Sequence, residues 1–272
     1  MTRIPLSALI GLIATSVFFL AALFAQFIAP YGMADVVGDS WEPASAQFLL
    51  GTDSIGRDLL SRMIYGGRTT IFVATASTAV SFITGSVLGF SAAVLGGWMD
   101  QGLSRFVDLI MAIPTLILAM VILTVMPTTL TILILVMGLL DATRVFRLAR
   151  AVAVDITVMD YVEAARLRGE GVGWIIFREI LPNALSPLVA ELGLRFIFAV
   201  LFISTLSFLG LGVQPPLADW GGIVKENKEG LVYGVSAALI PAFAIAVLAI
   251  SVNLVADWIL NRTTSLKGGR GA

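Results

Sequence analysis

The sequence contains no cysteine and no histidine. Without thiols it has no disulfide, no thiolate nucleophile and no sulfur ligand; without imidazole it lacks the neutral-pH base and the commonest metal ligand. Lysine is almost missing as well, with only Lys225, Lys228 and Lys267 present. None of them stands in the G-x-x-x-x-G-K-[ST] pattern of a phosphate-binding loop, so the chain cannot hydrolyse ATP by that route. Charge is scarce: 13% of residues are charged and the net charge is −1, which offers no basic surface to a nucleic-acid backbone. No nucleic-acid partner is expected.

What fills the chain instead is apolar: 58% of its 272 residues are hydrophobic and mean hydropathy is +0.97. A soluble domain does not have this composition. An ionised group at bilayer depth costs several kcal/mol and a crossing helix needs about 20 apolar residues, so charge-free runs locate the spans. Five such runs lie between Arg3 and Asp35, Arg68 and Asp100, Asp108 and Asp141, Arg195 and Asp219, and Glu229 and Asp257. The third is too long for one helix and is interrupted by MPTT around Pro127, which divides it into two spans. The expectation is an all-α polytopic membrane protein with six transmembrane helices. The first apolar stretch, Leu6 to Ala29, is longer than a signal-peptide core and ends in QFIAPYG rather than a small-residue cleavage site, so it reads as a retained helix.

Basic residues collect on one side of this topology. Arg3, Arg105, Arg144, Arg147, Arg150, Arg166, Arg168, Arg178, Arg262, Lys267 and Arg270 share it with both termini, whereas the other side dilutes its few cations with acids. By the positive-inside rule the termini are cytoplasmic. Two loops then face outward, roughly 30–67 and 213–235. The first carries LGTDSIGRD, with Asp53, Arg57 and Asp58 among turn-forming glycines; the second carries QPPLADWGG with Asp219 and Trp220. Ordered packing of the loops and direct contact with an outside molecule are both open for these residues.

On the cytoplasmic side the stretch EAARLRGEGVGWIIFREILPNALSPLV, residues 163–189, is charged and punctuated by glycine. Asp160 before YVE has the spacing of a capping box with Glu163, and Gly169 suits the left-handed stop of a short helix. A second helix over Trp174 to Ile180 is expected before Pro182 and Pro187 turn the chain into the fifth span. Two helical turns are marginal alone in water and need a partner. Tyr161, Val162, Ala165, Leu167 and Trp174 supply apolar contacts and Glu163, Arg166 and Arg168 a charged rim. Docking into another protein and folding against the chain's own membrane ends are equally open.

The spacing EAA, three residues, Gly, then LP twelve residues later resembles the cytoplasmic signature of inner-membrane permease subunits of bacterial ABC importers. LGTDSIGRDLLSRMIYGGRTT, LGFSAAVLGGWMD, RFVDLIMAIPTLILAM, DYVEAARLRG, ILPNALSPLV, LSFLGLGVQPPLADWG and NLVADWI, in collinear order over most of the chain, are similar to the C-type permease of dipeptide, oligopeptide and nickel importers. The resemblance implies the type I importer fold, with an N-terminal helix and extracytoplasmic loop over 1–67, a permease core over 68–272 and a coupling loop at about 150–187. It implies that Tyr161, Glu163, Ala164, Ala165, Arg166, Arg168, Gly169, Leu181 and Pro182 belong to a coupling helix region seated on a cytoplasmic ATPase. It also implies a heterodimer with a homologous B-type permease, two ABC ATPase subunits that bind ATP and Mg²⁺, and an extracytoplasmic binding protein docking near Asp53, Arg57, Asp58, Asp219 and Trp220. The chain itself is expected to bind no cofactor or metal. One departure is Glu179, where the peptide branch often has His before ILPN.

The cargo implied is a small peptide, with nickel or another small peptidic solute as the alternative and an ion-gradient-driven secondary transporter as the competing class. An intramembrane aspartic protease built on Asp108 and Asp141 is disfavoured, since both lie near a membrane face. Glu191 and Arg195, four apart on the fifth span, read either as a self-neutralising pair or as part of the pathway lining.

Overall fold

A computed structural model of the chain describes residues 4–268, and the side chains of residues 4–260. Of the basic residues that set the expected orientation, Arg3 and Arg270 lie outside the described residues, as do the side chains of Arg262 and Lys267. The described chain is helical. The principal elements are α1 (Leu6–Leu23), α2 (Ala25–Ile28), α3 (Leu59–Leu95), α4 (Gly97–Met111), α5 (Thr115–Val125) and α6 (Leu130–Thr157). They continue with α7 (Asp160–Leu167), α8 (Val172–Trp174), a π-helix (Ile175–Ile180), α9 (Leu181–Leu209), α10 (Trp220–Asn227), two short 3₁₀ turns and α11 (Leu239–Gly268). No strand occurs among the described residues, only the isolated bridges Val36–Arg57 and Thr52–Asp58.

Leu6–Leu23, Leu59–Leu95, Val172–Leu209 and Ser236–Leu260 are each long and apolar enough to cross a membrane, and α4 with α5 makes a fifth crossing if that pair, bent by 84°, counts as one span. With α6 in the position of the remaining expected span these elements follow the expected order, although α6 does not itself meet that criterion. They differ in three physical details. The third span breaks at Pro114, not merely at Pro127: the ring bars Ile113 from helical geometry and ends α4. α6 carries Asp141, Arg144, Arg147, Arg150 and Asp155, so its apolar part is only 130–140. And α3 starts at Leu59 rather than after Arg68, because Arg62, read as marking a loop, is buried among carboxylates.

The segment of residues 163–189 also departs from expectation. Pro182 and Pro187 do not turn the chain: α8, the π-helix and α9 run on as one apolar rod from Val172 to Leu209. A proline ring clashes with the carbonyl four residues back. For Pro182 that carbonyl belongs to Arg178, inside the π-helix, whose wider turn relieves the clash.

The chain divides into two compact units, one of Met1–Thr75, Ile122–Ile134 and Phe196–Val255, the other of Ala76–Val121, Leu135–Arg195 and Ala256–Ala272. The first has a core around Leu59, Ile71, Val200, Trp220, Ile223 and Leu248. Phe18 of α1 meets Trp220 edge-to-face at 5.5 Å. The second unit has a core around Phe90, Ile156, Val162, Ile175, Ile180 and Leu188.

Within the second unit, α3 and α6 approach through glycine. A Cβ added at Gly85 would stand 2.7 Å from the carbonyl oxygen of Ala142 and from Val145 Cβ, and one at Gly89 2.8 Å from the carbonyl oxygen of Phe146. In a bilayer, where lipid is as apolar as leucine, such close backbone contact supplies the dispersion that holds helices together. Gly85→Val should therefore destabilise the protein by about 1–3 kcal/mol, seen as a lowered unfolding temperature in detergent, whereas Gly102→Ala, which meets nothing within 4 Å, should be neutral or stabilising. Equal effects of the two substitutions would contradict this packing.

Candidate functional site

The segment between α6 and α9 is built around α7. Its first helical residue is Asp160, not the residue after it: Met159 is the cap, with extended backbone and no side-chain bond. The capping box expected between Asp160 and Glu163 does not form. The N–H groups of Val162 and Glu163 instead donate to the Met159 carbonyl at 2.9 and 3.2 Å, and Asp160 and Glu163 lie in the first turn, where carboxylates suit the helix dipole. The far end is closed by Gly169 at φ 82°. Gly169 N–H donates to the Arg166 carbonyl at 2.9 Å and Glu170 N–H to the Ala165 carbonyl at 3.2 Å, the paired bonds of a Schellman stop.

α7 has two faces. Val162 and Ala165 are fully buried, and Val162 sits in the cluster that joins Phe90 of α3, Ile156 of α6, the π-helix residues Ile175 and Ile180, and Ala184 and Leu188 of α9. Tyr161 and Leu167 are 42% and 83% exposed, and Glu163, Ala164, Arg166, Arg168 and Gly169 are exposed with them. Folding against the chain's own helices thus describes one face of this helix, and the other face is exposed. Arg168 lies 5.6 Å over the Trp174 ring. Leu181 is half-buried and Pro182 exposed at the start of α9. Glu179 is half-buried, and its carbonyl accepts from Asn183 Nδ2 at 2.7 Å. Nearby, Arg150 Nη2 bonds Asp100 at 2.6 Å and Arg147 bonds Asp108 at 2.7 Å, so charges at the base of α4 are matched by charges along α6.

In the first unit the loops before α3 and around α10 are tied by charge. The Asp53 carboxylate receives Arg57 Nε and Arg62 Nη1, each at 2.6 Å, and Glu226 receives Arg57 Nη2 at 2.6 Å and Arg62 as well. Arg62 is 2% exposed and Asp53 wholly buried. Asn227 adds a neutral clasp, its Oδ1 accepting from Ser54 N–H at 2.9 Å. Asp58 accepts from the N–H and hydroxyl of Ser61 at 2.8 and 2.6 Å. Trp220 donates its ring N–H to the Met63 carbonyl at 2.9 Å.

Asp53, Asp58, Asp219 and Trp220, read as candidates for docking an outside protein, are all at most 2% exposed. Their partners are the chain's own, so they build the loop structure and do not present a contact surface; only Arg57 reaches the surface. Sequence reasoning missed Arg62, Glu226 and Asn227. Nothing local marks them, since Arg62 and Glu226 meet across 164 positions.

Two carboxylates here depart from ordinary behaviour in opposite directions. Burial works to raise Asp53, but the N–H groups of Arg57 and Ile55 and the charges of Arg62 and Arg57 outweigh it and hold the carboxyl below its usual range. Asp219 caps α10, accepting from Gly221 and Gly222 N–H at 3.1 and 3.2 Å. Burial nevertheless pushes it up to about 6, with the Glu226 charge adding to the rise and Ser207, Gly222 and Gly221 opposing it.

Glu191 and Arg195 do pair, with Arg195 Nε 2.7 Å from Glu191 Oε1. Arg195 also donates to Asp141 Oδ1 at 3.1 Å, and Ser81 donates to Asp141 Oδ2 at 3.0 Å.

Long apolar helices, with a short two-faced helix between two long rods, define a polytopic helical membrane protein. The sequence model of the family described as binding-protein-dependent transport system inner membrane component matches residues 85–265, and the chain belongs to that family. Among its relatives, the di/tripeptide transport system permease protein DppC of Pseudomonas aeruginosa is 34% identical over 92% of this chain and 85% of its own length. A putative peptide transport system permease protein of Brucella suis is 36% identical over 91% and 84%. The glutathione transport system permease protein GsiD of Pectobacterium atrosepticum is 31% identical over 87% and 79%. The protein is therefore a multi-pass inner-membrane permease subunit of an ABC importer, itself non-catalytic, working with separate ATPase subunits and a substrate-binding protein.

The Asp219 shift sets a pH dependence. Its folded-state value lies above 3.8, so its contribution to stability is complete below about pH 4 and is lost as the pH rises through about 6. Asp53 has the opposite sign, stabilising above 3.8 and less as the pH falls. Asp219→Asn keeps a capping side chain and removes the alkaline loss. Its stability relative to the parent should improve by up to about 3 kcal/mol between about pH 4 and 7, measured by unfolding in detergent; parallel pH curves would contradict the assignment.

Proposed function

We propose that this chain forms half of the translocation pathway for small peptides and that α7 is the helix through which the ATPase drives it. The observation that carries the reading is the division of α7: Val162 and Ala165 are sealed into the core, while Tyr161, Ala164 and Leu167, at helical spacing on another face, have no partner among the described residues that covers them. A surface of that kind suits a groove in a second protein, with Glu163, Arg166 and Arg168 as its polar rim. ATP and Mg²⁺ are held by two ATPase subunits, whose closure on nucleotide moves α7 as a unit with the rod that follows.

The excess of arginine at the α6 to α9 junction supports a cytoplasmic position for this segment and for both termini. Six helical segments enclose little room for a peptide, so a homologous B-type permease supplies the other half as a heterodimer. On the outer side the binding protein meets the exposed residues Ile55, Val232 and Tyr233 rather than the buried acids beside them. The relatives' names support small peptides as cargo, with a glutathione-like solute within the same chemical class.

The test is an uncoupling experiment in the reconstituted importer. Glu163→Ala and Gly169→Ala should lower dipeptide uptake at least about tenfold, about 1.4 kcal/mol of coupling, while basal ATP hydrolysis and membrane insertion persist. Gly169→Ala also strains a left-handed residue, although its Cβ meets no atom within 4 Å. Parental uptake in both variants would overturn the assignment.

A further inference from the structure

Ser81, Asp141, Glu191 and Arg195 draw α3, α6 and α9 together around charge at a depth where lipid does not tolerate it. Asp141 lies about 17 Å inward from Leu130 and Arg195 about 21 Å from Leu209, at about 1.5 Å per residue. Both depths fall inside a hydrocarbon layer of about 30 Å, so Asp141 does not lie near a membrane face as the sequence suggested. The carboxylates are not sealed: the Asp141 and Glu191 side chains are 26% and 25% exposed. A partly exposed carboxylate at this depth faces a polar passage or a second protein, because facing acyl chains costs several kcal/mol.

The cluster is unbalanced. Within these four residues one guanidinium, 10% exposed, serves two carboxylates, a net charge of −1. Asp141 uses both oxygens, one for Arg195 and one for Ser81. Glu191 uses only Oε1, towards both Nε and Nη2 of Arg195, so its Oε2 is an open acceptor among the described residues. A second, independent polar group is also open. The Ser77 hydroxyl, four residues from Ser81 and hence on the same face of α3, is 2% exposed and has no hydrogen-bond partner. Such an orphan costs about 1–3 kcal/mol unless something bonds it. Gly138, whose added Cβ would stand 2.9 Å from the Ser77 carbonyl oxygen, brings α6 close against this turn of α3.

We infer that this cluster is a station on the translocation pathway that holds the side-chain ammonium group of a passing lysine-containing peptide. The inference rests on the peptide reading above. An alkylammonium carries one positive charge and three donors, which suit a surplus negative charge with an open carboxylate oxygen and a hydroxyl nearby. A bare metal ion suits it less: no group of three or more acidic ligands with metal-site geometry occurs among the described residues, and one of the coordinating positions is occupied by arginine. The station binds weakly by design of its geometry, since Arg195 already shares the same carboxylates, and a carrier needs release as much as capture.

The experiment compares uptake of Ala-Lys and Ala-Glu by the complete reconstituted importer, with one and the same binding protein throughout. Any change in the ratio of the two rates between variants then belongs to the permease. Glu191→Gln should lower the Ala-Lys to Ala-Glu ratio about tenfold, Asp141→Asn should do the same as a second charge-removing variant, and Glu191→Asp should restore it. Asp108→Asn, at the exposed pair with Arg147, should leave the ratio unchanged. An unchanged ratio in both charge-removing variants, or an equal fall in both rates, overturns the station and leaves the peptide reading standing. A parent importer that carries neither dipeptide overturns both.

Discussion

The seat of Val162 beneath α7 is the interaction on which the rest depends. Eight residues of helix do not hold together in water, because nucleation is costly and few bonds repay it. Burying a valine contributes about 1.5–3 kcal/mol, and here the burial is shared with residues of α3, α6, the π-helix and α9. The Schellman stop at Gly169 closes the helix so that its outer face is presented at a fixed angle. Removing the apolar seat would leave Tyr161, Glu163 and Leu167 on a segment with no defined orientation, and a push on them would go nowhere. With it, displacement of α7 is displacement of the rods it is packed on.

The bilayer imposes the second constraint, and it sorts the charges. Those in the loops before α3 and around α10 form a closed account of two arginines and two acids, with Asn227 and Trp220 bonding backbone groups beside them. Buried networks of this kind are expensive to dismantle singly, since each removal leaves an uncompensated charge. They make the loops rigid. The cluster on α9 is built from the same residue types but leaves a carboxylate oxygen open, and this difference separates a structural network from one with capacity to bind.

Much of the architecture is legible in the sequence because hydrocarbon is an intolerant solvent: charge-free runs found the spans in order, and the glycine at 169 announced a helix stop that the φ of 82° bears out. The departures share a cause. Charge was read as marking membrane boundaries, yet Arg62 is buried against Asp53 and against Glu226, 164 positions away, and does not end a helix. Proline was read as a turn at 182 and 187, yet the rod continues through both, with a π-helix absorbing the clash at 182. Asp53 and Asp219 looked like surface contacts because acids in loops usually are; their burial depends on tertiary pairing and N–H groups that no local pattern reveals. Of the two faces of α7, composition gave the residue types but not which would turn inward.

The absence of cysteine makes the most direct measurement simple, because each introduced thiol is the only one in the chain. Single cysteines at 161, 162, 164 and 167 can be crosslinked in the assembled importer through turnover of ATP. The account predicts that positions 161, 164 and 167 form nucleotide-dependent crosslinks to the ATPase subunit while position 162 forms none. Crosslinks from 161, 164 and 167 to this chain alone, unchanged by nucleotide, would contradict it.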